Sequence, residues 1–232
     1  MDKQDLIIVS DFDGTITTKD IGNELCLEHI PELFKALFSK YSSGELNLIE
    51  FQKQVWSQFP MSKDAFYESI DSHCSIRSGY FDFLDLLNEN KIRYTIASCG
   101  LDFYINYVWT KYISTKNPIE LKECISNIAH FNSDNILSSL SAPTYESHPK
   151  DSSRPLHKGL WAKEMAAKHN KTKIIALGNG GSDKTFINHV DHIYATEKLD
   201  TTLKQSVDNN QSFTSFEDYT DIIPHFKELL NL

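Results

Sequence analysis

Asp11 and Asp13 stand two residues apart in the run Ser10-Asp11-Phe12-Asp13-Gly14-Thr15, directly after the apolar residues 6–9. Two carboxylates at the mouth of a buried element are costly unless something compensates them. In extended backbone, residues i and i+2 point the same way, so the pair can converge on one spot. A hard cation held by oxygen ligands is the usual compensation, and magnesium fits that description. Gly14 lets the chain turn sharply, and the Thr15 hydroxyl can donate to a phosphate oxygen. An Asp pair in a loop also caps helices and builds Asx turns, so the motif alone leaves that structural role open.

Two more polar clusters follow apolar runs: Ser98-Cys99-Gly100 and Gly178-Asn179-Gly180-Gly181-Ser182-Asp183. Lys158 begins an apolar stripe of Leu160, Trp161 and Met165, with Leu156 just before it, which places it in the first turn of a helix. A serine at a strand end or a lysine on a helix is ordinary when met alone. A cation at a helix N-terminus, however, opposes the helix dipole. A bound anion there explains it, since that end already favours negative charge.

Elements that must position these residues can be read from spacing. Residues 6–9, 92–97, 174–177 and 192–195 read as strands, the first and third as buried parallel ones. Between residues 16 and 78 the apolar positions recur at helical spacing, punctuated by Pro31, Ser42-Ser43-Gly44 and Pro60, which gives three or four short helices. Helices are expected at 81–87, 101–112 and near 199–207, and a last one at 216–230 interrupted near Pro224. Residues 132–154, rich in Ser, Pro and Asn, read as a β-excursion or irregular loop. Alternating strands and helices define an α/β chain: a Rossmann-like parallel sheet core flanked by helices, with an all-helical insertion after the first strand. The core takes residues 1–15 and 79–232, and the insertion 16–78. In such sheets ligands bind beyond the carboxyl ends of the strands, where all three polar clusters fall.

Composition narrows the class. The 232 residues carry a formal charge of −9, so no basic field attracts nucleic acid or an anionic membrane. Cys26, Cys74, Cys99 and Cys124 are far apart in sequence and read as reduced thiols of an intracellular protein. No run reaches the roughly 18 apolar residues of a membrane span, and the N-terminus lacks a signal-type apolar region. The expected location is cytoplasmic.

The clusters, taken in order, resemble the motifs of the haloacid dehalogenase (HAD) superfamily. Asp11-Phe12-Asp13-Gly14-Thr15-Ile16 is similar to its DxDGT[ILV] signature, Ser98 to its second motif, Lys158 to its third, and Gly178–Asp183 to its fourth, GDGxxD. The resemblance implies a phosphatase in which Asp11 is the nucleophile, Asp13 the general acid and base, and Lys158 the charge partner. Thr15, Ser98, Cys99 and Gly100 would bind the phosphoryl group. Magnesium would be held by Asp11, Asp13, Asn179 and Asp183. The helical insertion resembles the cap of the phosphoserine-phosphatase-like branch, which closes over the site. Asp20, Asn23 and Arg77 are candidates there for touching a small phosphorylated metabolite, although solvated polar positions on cap helices would look the same. One position departs from the pattern: Asn179 stands where the family has an acid, which removes one negative charge from the metal site. Two alternatives follow, a HAD-fold protein that binds phosphate esters without turning them over, and phosphoryl transfer to an acceptor other than water. A receiver domain is excluded by chain length and by the DxDGT spacing.

Overall fold

Leu6, Ile7, Ile8 and Val9 are all fully buried, and alternate residues enter two separate apolar cores. That alternation is what a strand covered on both faces requires. The strand, β1 (Leu6–Ser10), is the centre of the sheet in a computed structural model that describes residues 2–59, 61–116, 123–147, 154–206 and 210–231. Its neighbours are β2 (Arg93–Leu101) and β5 (Lys173–Gly178), both parallel to it. Beyond β2 lie β3 (Ile125–Phe131), parallel, and β4 (Leu137–Ser141), antiparallel. Beyond β5 lie β6 (His192–Ala195) and β7 (Phe213–Ser215), both parallel. The sheet order is β4-β3-β2-β1-β5-β6-β7. The chain therefore builds outward from β1 in one direction, then returns to β1's other side, which makes the carboxyl ends of β1 and β5 the switch point.

Helices cover both faces. Four stand between β1 and the next core helix: α1 (Ile21–His29), α2 (Pro31–Ser42), α3 (Leu48–Trp56) and α4 (Lys63–His73). Their ends follow sequence rules. Asp20 caps α1, Pro31 opens α2, Asn47 and Glu50 form a capping box on α3, and Ser62 caps α4. The core helices are α5 (Tyr80–Glu89), α6 (Asp102–Val108), α7 (Lys158–Lys168), α8 (Glu197–Gln205) and α9 (Tyr219–Leu230). The two chain passages joining the four-helix segment to the sheet are hydrogen-bonded to each other, Thr18 N to Ser75 O (2.8 Å) and Arg77 N to Ile16 O (2.9 Å).

Several expected boundaries move. Strand β2 runs on through Ser98, Cys99 and Gly100 to Leu101, because β3 offers it a partner in a shifted register between Ala97 and Leu101. Helix α6 is shorter than expected and passes into a π-turn at Trp109–Ile113. Pro224 does not interrupt α9: a capping box of Asp218 and Asp221 starts the helix, and buried Tyr219, Ile222, Phe226 and Leu230 hold it on the core. That burial, at about 1.5–3 kcal/mol per large apolar side chain, outweighs the roughly 3 kcal/mol a helix-interior proline costs. The expected β-excursion is a hairpin of β3 and β4 with irregular chain after it; residues 148–153 lie outside the described residues, as do Pro60 and Val207.

Candidate active site

The carboxyl ends of β1, β2 and β5 meet at one cavity of about 590 Å³, and the start of α7 lies behind Asp11, outside the lining. Asp11 follows β1 directly, fixed by its amide to the Leu177 carbonyl of β5 (2.9 Å). Lys158, the first residue of α7, is fully buried, with Nζ 2.7 Å from Asp11 Oδ1 and 2.6 Å from Asp183 Oδ1. A buried lysine survives only if paired. Burial opposes its charge, but Asp11 and Asp183 together outweigh it and hold the ammonium well above its ordinary range. The Phe12 amide also binds Asp11 Oδ1 (2.7 Å), so these contacts all fall on one oxygen. Burial, and then the charge of Asp183, pushes the Asp11 carboxyl up to about 8.

Asp13 lines the same cavity in a different setting. Its Oδ1 accepts the Ile21 amide (3.1 Å), and its Oδ2 accepts the Tyr104 hydroxyl (2.6 Å). Burial first, then the charge of Asp20, raises its carboxyl well above the usual range, with the Tyr104 bond pulling the other way. Gly100 makes this contact possible: a Cβ there would fall 1.9 Å from the Tyr104 hydroxyl. Ser98 Oγ accepts the Gly100 amide (2.9 Å), which leaves its own proton free to donate towards the cavity it lines.

Asp20 and Asn23 also reach the cavity, although the Asp20 side chain is engaged in capping α1 through the Asn23 amide (2.8 Å). Three expected contacts lie elsewhere. Thr15 is fully buried and bonds Asn179 Oδ1 (3.3 Å) instead of facing the cavity. Arg77 spends its guanidinium on the Gly14, Thr15 and Glu217 carbonyls, so it clamps the loop after β1. Asp183, expected among the metal ligands, has both oxygens occupied: Oδ1 by Lys158, and Oδ2 by the Asn179 (3.0 Å) and Gly180 (2.8 Å) amides. It orients Lys158 and closes the fourth-motif loop. The stripe on α7 is also narrower than expected, since Leu160 and Trp161 are only half-buried.

Sequence reasoning missed Tyr104, the aromatic wall of Phe34, Phe38, Tyr41, Phe51 and Trp56, and a polar latch. In that latch Gln52 of α3 donates to the Cys99 carbonyl (2.7 Å) and accepts from Asn127 (2.8 Å), which ties the four-helix segment to the sheet beside Ser98. A tyrosine or phenylalanine at helical spacing reads as core, and no local signal sets these apart.

A divalent cation finds suitable donors. Among the described residues no hydrogen bond reaches the Asp13 main-chain oxygen, and Asp11 Oδ2 carries none of the contacts above. No group of three His, Cys, Asp or Glu side chains gathers among the described residues. Magnesium does not need one, because it binds through one or two carboxylates and keeps waters or substrate oxygens. The cavity's carboxylic side chains are Asp11, Asp13, Asp20, Glu24 and Glu197, against the lysines Lys19 and Lys198, an acidic lining that an accompanying cation would make hospitable to an anion.

Fold, order of motifs and buried Lys158 between two aspartates define a phosphoric monoester hydrolase of the HAD superfamily, and the comparisons agree. The chain belongs to the pyrimidine 5'-nucleotidase (UMPH-1) family, whose model matches residues 49–225. That span holds Ser98, Lys158, Asn179 and Asp183, and begins after the Asp11 loop. A 2-hydroxy-3-keto-5-methylthiopentenyl-1-phosphate phosphatase of Bacillus cereus (strain AH187) is 25% identical over 228 residues, 97% of either chain. A phosphoserine phosphatase solved as a phospho-aspartyl intermediate analogue has the same fold, with a TM-score of 0.72 and 16% identity over 94% of this chain and 97% of that one. A cytosolic 5'-nucleotidase IIIB bound to cytidine has a TM-score of 0.62 and 18% identity, covering 99% of this chain and 86% of that one. All four cysteines are free thiols. No helix among the described residues is long and apolar enough to cross a membrane.

Proposed function

We propose that the protein hydrolyses a small phosphate monoester with an uncharged leaving group, through an aspartyl-phosphate on Asp11. The observation that carries this reading is Lys158, fully buried between Asp11 and Asp183. A lysine set there neutralises a nucleophilic carboxylate and meets the charge of a transferring phosphoryl group.

Asp11 attacks phosphorus in line and the bond to the ester oxygen breaks, giving the alcohol and an acyl phosphate. Asp13 begins protonated, as its raised carboxyl allows, and gives that proton to the leaving oxygen. It then takes a proton from the water that attacks the acyl phosphate, so that inorganic phosphate leaves and both aspartates are restored. The Ser98 hydroxyl donates to a phosphoryl oxygen throughout, and Lys158 holds the developing charge. Magnesium fits the Asp11 carboxylate, the Asp13 main-chain oxygen and the Asn179 amide, and would supply the positive charge that the lining lacks.

Residues 16–78 form the cap in this reading, with the ladder between Thr18 and Ser75 and between Ile16 and Arg77 as its attachment. The cap's share of the lining is mainly aromatic and apolar along α2 and α3 and acidic at Asp20 and Glu24, and its lysine, Lys19, is exposed and paired with Glu24 at 3.0 Å. Among the described residues the cap adds no further lysine or arginine to the lining, whose other lysine, Lys198, comes from α8; this favours neutral alcohols such as nucleosides or polyols over phosphoserine. The test is hydrolysis of a chromogenic phosphate ester across a magnesium titration, then of a panel that sets neutral-alcohol esters against phosphoserine. Turnover should require the divalent cation, vanish in Asp11→Asn and favour the neutral esters. Near-normal hydrolysis by Asp11→Asn sinks the reading.

A further inference from the structure

Asn179 leaves the metal position one charge short, and the acid bonded to its side chain is Glu197, at the first turn of α8. Its Oε2 lies 3.0 Å from Asn179 Nδ2. We propose that Glu197 is a positioning residue for the cation: it fixes the Asn179 amide with its oxygen towards the Asp11–Thr15 loop, and it returns the charge that an aspartate at 179 would carry. This rests on the metal-dependent reading above.

The amide's orientation follows from what its partners can do. A carboxylate only accepts hydrogen bonds, so the NH₂ group must face Glu197. The Oδ1 then accepts the Thr15 hydroxyl at 3.3 Å, at the end of the first loop. The backbone holds the pair together from both ends, because the Asn179 carbonyl accepts the Leu199 amide of α8 (2.8 Å). The side chain is pressed against the first loop as well, since a Cβ on Gly14 would fall 2.1 Å from Nδ2. Glu197 adopts φ 51°, a left-handed conformation that a glutamate rarely takes and that its surroundings must impose. Its other oxygen is 3.5 Å from Arg77, the residue that clamps the Gly14 and Thr15 carbonyls. An acid in the first turn of a helix is favoured anyway by the helix dipole. That effect accounts for the residue type, but not for a carboxylate bonded to the one amide where the metal site has lost its acid.

The experiment measures Mn²⁺ binding alone, by calorimetry or electron paramagnetic resonance, with no turnover involved. Wild type, Asp11→Asn, Glu197→Gln and the exchange Asn179→Asp/Glu197→Gln are compared. Asp11→Asn should lose the site. Glu197→Gln should weaken binding by about 10- to 100-fold, the range for partners that orient a ligand. The exchange moves the charge by one residue and should return affinity to the wild-type level or better, which also covers a single variant that folds poorly. A dissociation constant for Glu197→Gln within about twofold of wild type overturns the proposal, as does an exchange no tighter than the single variant. Wild type without Asp11-dependent binding overturns the metal-dependent reading itself, and so is distinguishable from failure of Glu197.

Discussion

Lys158 shows what one residue type can reveal when its surroundings are known. With no exposure and two carboxylates within 2.7 Å, it is the hub of a buried network in which removing the cation leaves two acids uncompensated. Lys158→Met should therefore cost about 3–5 kcal/mol in denaturant melts at neutral pH and abolish turnover. A stability within 1 kcal/mol of wild type would mean that solvent already reaches the network. Tyr104 is the counterpart on Asp13. Tyr104→Phe removes the donor to Oδ2 and should cost about 1–3 kcal/mol, with a fall in kcat at unchanged KM, because on the proposed mechanism the bond orients the proton donor and not the substrate. An unchanged kcat would reduce Tyr104 to packing. The sequence made Asp11, Asp13, Ser98 and Lys158 legible because each sits at a strand or helix end with a motif around it. Tyr104 was not legible, since the contact depends on the missing Cβ of Gly100 and on how α6 leaves β2. Arg77 and Thr15 were read as substrate contacts because a cation and a hydroxyl near a phosphate motif look alike whether they face inward or backward.

Elements were legible where hydrophobic runs are continuous. β1, β5 and β6 came out within a residue of their expected ends, and all are buried strands paired on both sides. β3 and β7 were not, because short half-buried segments at the sheet's flanks take their structure from a partner that the sequence does not display. Pro224 misled for a related reason: local propensity reported a break, and the packed face of α9 overrode it. The outer strands also carry a group with a measurable signature. His192 on β6 bonds Ser212 Oγ (2.8 Å) and Thr214 Oγ1 (3.1 Å), beside His225. Burial, then the proximity of His225, pushes its pKa from 6.5 down to about 4. The unfolded chain thus takes up the proton first, so stability is full above about 6.5 and falls as pH drops towards 4. His192→Gln removes this titration, and its loss of melting temperature between pH 7 and pH 5 should be smaller than that of wild type. An equal loss would place the acid sensitivity elsewhere.

At the scale of the molecule the substrate meets a field of the wrong sign. The chain carries a formal charge of −9, and the cavity lining itself holds five acidic side chains against two lysines. Lys158, the cation nearest the nucleophile, is already shared between Asp11 and Asp183. On the proposed mechanism a dianionic ester would therefore be repelled at a distance and held only at contact, by a bound cation, the Ser98 hydroxyl and the network's residual charge. Repulsion between exposed charges is screened as the Debye length shortens from about 30 Å at 0.01 M to about 8 Å at 0.15 M ionic strength. The value of kcat/KM at saturating magnesium should then rise, about twofold or more, as sodium chloride increases over that range, which is the reverse of an electrostatically steered enzyme. The rise should appear in kcat/KM with little change in kcat, because the chemistry occurs where bulk salt does not reach. A fall would show that the bound cation, and not the whole chain, dominates the field at the mouth of the cavity.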